Sequence, residues 1–281
     1  MKKYLLFFFL MLTTAAFAQD IKMKYLALNV PDKMATAQWY HNTLGFKIIK
    51  EGNEVYVSDA DDHFRIKFFS DPSQKNNYSD MSVDAWHIAL ESDNMNYWEQ
   101  KILNAGGKYN TPPRHNLVGD AVADLRDPQG IMIQLVQRVR PFYSRKHGVL
   151  RFEHLALNMT NNKEAALWYV EFMGLTIPWS KDPADSVRAV SNYRIPYVGD
   201  PGRNMSMEFL TTGTGRDYTK LGFEVSYIAF GVKDARATAK KMIYGGAKQI
   251  GEPQRDNKGN LTIKLRCPWG NMLELIENKK R

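Results

Sequence analysis

The chain has 281 residues, of which 44% are hydrophobic and 24% are charged, and its formal net charge is +8 at pH 7. This length fits two domains of ordinary size, and the composition is that of a globular protein with a real core. The basic residues are scattered apart from the stretch Arg138–Lys146, and no basic stripe with interleaved aromatic residues is found, which excludes nucleic acid as a partner. We interpret that stretch as a solvated linker.

The first 18 residues, MKKYLLFFFLMLTTAAFA, have the pattern of a secretory signal peptide. Two lysines precede the apolar run Tyr4–Leu12, and the segment ends in Ala-Phe-Ala, a small-x-small cleavage signal. Because the run is shorter than the ~20 residues that span a bilayer, a membrane anchor is disfavoured. We expect a mature chain that begins near Gln19, is exported to the periplasm or secreted, and is not stably inserted in a membrane. The single cysteine, Cys267, excludes an internal disulfide, and we interpret it as a partly buried bystander.

An internal repeat follows. The segment YLALNVPDKMATAQWYHNTLGFKI, which starts at Tyr25, aligns without a gap with HLALNMTNNKEAALWYVEFMGLTI, which starts at His154, at a constant offset of 129. Further on, LRDPQGIMIQLVQ aligns with LRCPWGNMLELIE at an offset of 140. The chain therefore contains two copies, Ile21–Gln137 and Val149–Glu277, joined by a linker at residues 138–148.

Each copy divides once more. The stretches His87-Ile-Ala-Leu and Tyr227-Ile-Ala-Phe resemble short versions of the strand that opens each copy. Each is followed by a segment with apolar residues at helical spacing that ends in glycine, NMNYWEQKILNAGG and DARATAKKMIYGGA. Alternating apolar residues then mark short strands between turn-forming clusters. The pattern predicts a strand, a helix and several short strands, four times over, which is an α+β fold.

The opening HLALN strand, the helix with WY and then GL, and the closing strand at Pro268–Leu275 together resemble the vicinal oxygen chelate superfamily. This family includes glyoxalase I, bleomycin and fosfomycin resistance proteins, methylmalonyl-CoA epimerase and extradiol dioxygenases. The resemblance implies paired βαβββ modules, four in all, that form two glyoxalase-like domains whose curled mixed sheets make cups. It also implies that metal ligands come from the first and last strands of each module.

The resemblance further implies which side chains point into the cups. In the second copy they are His154, Glu208, Tyr227 and Glu274, and in the first copy Tyr25, Lys67, His87 and Gln134. One imidazole and two carboxylates suit a divalent cation such as zinc, nickel, manganese or iron. We therefore predict a metal site at His154, Glu208 and Glu274 in the second copy, and a degenerate site in the first.

The remaining positions are interpreted as pocket residues. Tyr227 is more consistent with lining the pocket than with ligating, because phenol is a rare ligand, and His87 has no partner set in its own copy. By the resemblance, an extradiol dioxygenase of this family would have an iron site with two histidines and one carboxylate. The second histidine would fall at position 227, so its absence disfavours ring cleavage.

Three functions remain open. The first is a metal-dependent isomerase, epimerase or lyase that acts on a small hydroxy-carbonyl or sugar-like compound, with Glu208 or Glu274 as the catalytic base. The second is a non-catalytic small-molecule binding protein of the bleomycin-resistance type, and the third is a metal-free structural relic. For each of them we expect no partner other than a small-molecule substrate or ligand. Whether the chain forms a homo-oligomer stays open.

Overall fold

The computed structural model describes residues 21–73, 78, 86–116, 118–141, 148–180, 182–201, 205–211 and 227–278. The predicted signal peptide and residues 142–147 of the predicted linker lie outside this part of the chain. Within it, no helix has the length and apolar character needed to cross a membrane.

The first copy forms two βαβββ modules, as the periodicity predicts. The first module contains β1 (Lys22–Asn29), α1 (Lys33–Leu44), β2 (Lys47–Glu51), β3 (Glu54–Ser58) and β4 (Arg65–Phe69). The second contains β5 (Trp86–Glu91), α2 (Met95–Asn104), β6 (Lys108–His115), β7 (Ala121–Arg126) and β8 (Met132–Gln137).

The second copy repeats this order with one change. Its first module contains β9 (Arg151–Asn158), α3 (Asn162–Trp168), a π-helical turn at Tyr169–Met173, α4 (Pro183–Asn192), β10 (Tyr197–Gly199) and β11 (Ser206–Leu210). Its last module contains β12 (Tyr227–Val232), α5 (Ala235–Tyr244), β13 (Lys248–Arg255), β14 (Leu261–Arg266) and β15 (Met272–Glu277). The helix α4 therefore stands where the first copy has a strand.

The helices begin where the sequence supplies a capping side chain. The Asp32 carboxylate accepts hydrogen bonds from the backbone N–H groups of the first turn of α1, and Asn94, Asn161, Asp182 and Asp234 do the same for the other four described helices. The opening helix of each copy ends at a glycine in the left-handed conformation, Gly45 or Gly174, as the repeated glycine predicts.

The two sheets each combine strands from both copies. The eight-stranded sheet has the order β13-β14-β15-β12-β1-β4-β3-β2, and the seven-stranded sheet has the order β10-β11-β9-β5-β8-β7-β6. The outer modules meet through the antiparallel pair β1 and β12, and the two inner modules meet through the antiparallel pair β5 and β9. The α+β fold of paired modules is confirmed. The prediction that residues 21–137 and 149–277 each close their own cup is wrong, because the strand pairs that close the cups run between the copies.

The alternation along the opening strands separates a core face from a cup face. Leu26 and Leu28 on β1, like Leu155 and Leu157 on β9, are buried in one continuous apolar core that includes residues of both sheets. Within this core Phe46 and Phe152, from different copies, have ring centroids 4.8 Å apart. The other face of each sheet carries the polar side chains that were predicted to line the cups.

Candidate metal centre

Three side chains converge on the concave face of the seven-stranded sheet: His154 from β9, His87 from β5 and Glu208 from β11. The Nε2 atom of His154 lies 3.3 Å from Nε2 of His87 and 3.2 Å from Oε2 of Glu208. The Nε2 atom of His87 lies 3.6 Å from the same carboxylate oxygen. All three residues are buried, so their polar atoms face one another and not bulk water.

The strand register explains why these three side chains meet. The central strand β9 pairs in parallel with β11 and antiparallel with β5. Ala156, two residues after His154 and on the same face, lies opposite both Glu208 and His87. Ala89 lies opposite His154 itself. The two alanines leave the floor of the cup open between the ligand-bearing side chains.

The arrangement fits a divalent transition metal. A cation bonded at about 2.1 Å to three donors holds those donors about 3.0–3.4 Å apart, and the observed separations of 3.2, 3.3 and 3.6 Å are close to this range. Two imidazole nitrogens and one carboxylate oxygen suit zinc, nickel, manganese and iron. Three protein ligands also leave coordination positions for water or substrate. Among the described residues, this is the one group of histidine, cysteine and carboxylate side chains whose ligand atoms converge in this way.

The buried charges in this cup stabilise one another. Burial alone would lower the pKa of His154, but the carboxylates of Glu153 and Glu208 outweigh it and raise that pKa to about 9. Burial alone would raise the pKa of Glu208, but the imidazole of His154 in particular lowers it to about 2. The site is therefore held as an imidazolium and a carboxylate before any cation displaces a proton.

Two residues that support the ligands were missed by the sequence analysis. The Nδ1–H group of His154 donates to Oε2 of Glu153 at 2.7 Å, and Glu153 accepts three further bonds from the guanidinium of Arg138. Arg138 is only 7% exposed, so its interpretation as part of a solvated linker is wrong. Glu153 carried a signal, because a carboxylate in a strand whose other residues are mostly apolar is costly to bury unless it is paired.

Gln134 lies in this cup, and not with Tyr25 and Lys67 as predicted. Gln134 lies on β8 opposite Ala89 of β5, and its amide Nε2 donates to Oδ1 of Asp124 at 2.8 Å. The other oxygen of Asp124 lies 2.6 Å from Nη1 of Arg114. These three residues form a polar row on β8, β7 and β6, which β5 separates from the strand of His154.

The eight-stranded sheet carries the other predicted positions, Tyr25, Lys67, Tyr227 and Glu274. The hydroxyl of Tyr25 donates to Oε2 of Glu274 at 2.6 Å, and Lys67 forms an ion pair with Glu54. Burial raises the pKa of Glu274, and the hydrogen bond from Tyr25 opposes that rise. The predicted ligand set is thereby corrected: Glu274 lies in a different sheet from His154 and Glu208, and His87 takes its place.

The cup of the eight-stranded sheet is filled by its own side chains. The rings of Tyr25 and Tyr227 have centroids 6.2 Å apart, and those of Tyr25 and Tyr56 are 5.5 Å apart. The Lys67 ammonium lies 5.6 Å from the Tyr25 ring centroid. An ammonium group in this position repels a dication. Tyr227 accordingly belongs to an aromatic cluster of the eight-stranded sheet, and not to the cup that holds His154.

The family model of the Glyoxalase/Bleomycin resistance protein/Dioxygenase superfamily matches residues 22–135 and 151–275, which agree with the two predicted copies. No curated protein matches the chain closely enough to count as a relative.

Solved structures show the same fold at low identity. Glyoxalase I from Zea mays is 17% identical, with a TM-score of 0.65 and 92% of each chain covered, and a variant of it gives a TM-score of 0.67 at 18% identity. A putative dioxygenase from Bacillus subtilis is 14% identical, with a TM-score of 0.60, and the match covers 93% of this chain and 86% of that one. The family model matches well over half of the residues, so the chain belongs to the Glyoxalase/Bleomycin resistance protein/Dioxygenase superfamily.

Proposed function

We propose that this protein is an exported, divalent-metal-dependent enzyme that acts on a small compound with two adjacent oxygen atoms, such as a hydroxy-carbonyl compound, a diol or a sugar derivative. The observation that carries the proposal is the convergence of His87, His154 and Glu208 within ligand distance of one another. A cation held there would polarise adjacent substrate oxygens as a Lewis acid, and ferrous iron would in addition supply electrons to dioxygen.

The ligand set supports an extradiol-type oxygenation best. Two histidines and one carboxylate are the ligands of non-haem iron(II) oxygenases. The sequence argument against this reaction was the tyrosine at position 227. That argument no longer holds, because His87 occupies the equivalent position in the other sheet. The low pKa of Glu208, about 2, suits a permanent ligand better than a proton acceptor.

An isomerase, epimerase or lyase is the second candidate, and Asp124 is the observation that favours it. Proton transfer beside a carbonyl needs a carboxylate base that is not committed as a ligand. Glu274, one of the two predicted bases, lies in the other cup, whereas Asp124 is buried beside Gln134 on the face that holds His154. Asp124 would accept the proton, and the Arg114 guanidinium would stabilise the resulting substrate anion.

Metal content tests the site. We expect one metal per chain after incubation with ferrous iron, zinc, nickel or manganese. His87→Ala should remove it, because two ligands then remain. Tyr227→Ala is the matched control, since it changes the equivalent position of the other cup and should leave the metal in place. A chain that stays metal-free would overturn the enzyme proposal in favour of the binding protein or the structural relic.

Two assays on the loaded protein separate the reactions. Oxygen consumption with a panel of catechols, by the iron form only, would support the oxygenase. Exchange of a substrate C–H proton with deuterated water, by zinc or nickel forms and lost in Asp124→Asn, would support the isomerase, epimerase or lyase.

The exported location rests on the sequence of residues 1–18 alone. Mass spectrometry of material from the periplasm or medium should find a chain that starts near Gln19. Intact chain that starts at Met1 and stays in the cytoplasm would refute export without affecting the metal site.

A further inference from the structure

A buried chain of ionic contacts runs from the end of β8 to the candidate ligands. The guanidinium of Arg138 donates from Nη2 to both carboxylate oxygens of Glu153, at 2.8 and 3.0 Å, and from Nη1 to Oδ2 of Asp120 at 2.8 Å. Glu153 then accepts from Nδ1–H of His154 at 2.7 Å. The side chain of Glu153 is fully buried, so none of these contacts is diluted by solvent.

The same arginine also reaches the carboxylate ligand. Its guanidinium carbon lies 5.7 Å from the ring centroid of Tyr197. The hydroxyl of Tyr197 donates to Oε1 of Glu208, which leaves Oε2 facing His154 and His87. Arg138 therefore touches the immediate supporting group of each of two ligands that come from different strands.

The cup of the eight-stranded sheet provides an internal comparison, because it has the same fold without the ligands. At the repeat offsets of 129 and 140, Glu153 corresponds to Lys24, Arg138 to Asn278 and Asp120 to Asn260. Lys24 and Asn278 lie near each other, since both approach the same glycine of β12. The backbone framework is thus retained there, whereas every charged member of the network is replaced.

We propose that Arg138, Glu153 and Tyr197 are positioning residues that present His154 Nε2 and Glu208 Oε2 to a divalent cation. This inference rests on the proposed metal site and adds to it the residues that set its affinity. A carboxylate that accepts from Nδ1–H fixes the imidazole with its Nε2 lone pair available to the metal. The bidentate contact with Arg138 holds the Glu153 carboxylate in the orientation in which it accepts the hydrogen bond from Nδ1–H of His154.

Metal affinity of the folded protein is the primary test. Loss of such supporting partners typically weakens metal binding 10- to 100-fold. We expect Glu153→Gln and Arg138→Gln to weaken cobalt(II) and zinc binding by this factor, measured by competition with a chelator. Lys24→Gln is the matched control in the other cup and should leave the affinity unchanged.

The imidazole itself gives a second readout that a merely structural role would not move. In zinc-loaded wild type, ¹⁵N–¹H spectra should show a proton on Nδ1 of His154 that is protected from exchange. Glu153→Gln should expose that proton to exchange, and the cobalt(II) absorption bands should shift. If Glu153→Gln fails to fold, Arg138→Lys preserves the charge but loses the bidentate contact, and it should weaken binding by a smaller factor.

The outcomes are distinguishable. Wild type that binds a metal while both glutamine variants bind it equally well, with an unchanged Nδ1 proton, would overturn this inference and leave the metal site standing. Wild type that binds no metal would overturn the site and the inference together. Weakened metal binding in Glu153→Gln and Arg138→Gln, with unchanged binding in Lys24→Gln, would support both the metal site and this inference.

Discussion

Asp127, in the turn between β7 and β8, makes the stability of this protein depend on pH. Its carboxyl group is 4% exposed, and Oδ1 accepts hydrogen bonds from the backbone N–H groups of Gln129 and Ile131, both at 2.8 Å. Burial raises the pKa of Asp127 from 3.8 to about 7, although these backbone bonds and the adjacent Tyr40 hydroxyl offset part of the rise. The folded protein therefore keeps a proton on this group that the unfolded chain gives up.

The sign and the size of the effect follow from this difference. Stability contributed by the protonated carboxyl is complete below pH 4 and is lost as the pH rises to about 7. Each pKa unit corresponds to about 1.4 kcal/mol, so the loss between pH 4 and pH 7 is on the order of 4 kcal/mol. Asp127→Asn keeps the acceptor for both backbone groups and cannot ionise. It should match wild type near pH 4 and exceed it by a few kcal/mol at pH 8.

Urea unfolding at several pH values between 4 and 8 measures this difference. Asp234→Asn is the control, because either residue caps a helix about equally well and Asp234 is exposed. The difference in free energy of unfolding between Asp127→Asn and wild type should grow with pH and level off above pH 7. Parallel curves for the two proteins would show that Asp127 ionises normally in the folded state and would refute the reasoning.

Three further results are expected. Zinc affinity should rise about tenfold per pH unit between pH 6 and 8, because His154, whose pKa is about 9 without metal, must release a proton when it binds zinc. Calorimetry in buffers of different ionisation enthalpy should detect the released proton. A zinc affinity that does not depend on pH would contradict this. Tyr25→Phe should lower the free energy of unfolding in urea by about 1–3 kcal/mol by removing the donor to buried Glu274, without changing the metal content. Cleavage at a protease site engineered within residues 142–147 should leave both fragments associated in size-exclusion chromatography, because each sheet contains strands of both; separate elution without denaturant would count against the shared sheets.

Local features of this fold could be predicted from the sequence. The repeat located the four modules, and the period of two along HLALN placed His154 and the alanine of Ala156 on the cup face. The same alternation placed Glu208 correctly on β11. These features depend on contacts between residues close in the chain or on sterics within one strand, which the sequence expresses directly.

The partner of each module could not be predicted in this way. The strands that open the modules are nearly alike, so β5 and β12 offer similar edges to β1 or β9, and local pattern does not distinguish the pairings. Glu274 was therefore assigned to His154, and His87 was left without partners. A signal did exist. Pairing the two inner modules with each other brings two imidazoles together with Glu208, and it leaves the Lys67 ammonium in the cup that has no histidine.

Because modules pair between the copies, the inner and the end segments of the chain build different cups. The cup that contains His87, His154 and Glu208 is built from the continuous segment between β5 and β11, whereas the other cup is built from the two ends of the described chain. Each copy contributes one histidine, so neither copy alone can hold the three ligands. The end segments carry Tyr25, Lys67 and Tyr227 at the positions that correspond to His154, Glu208 and His87. Because burying an unpaired carboxylate is costly, Glu274 depends there on the hydrogen bond that the Tyr25 hydroxyl donates to it.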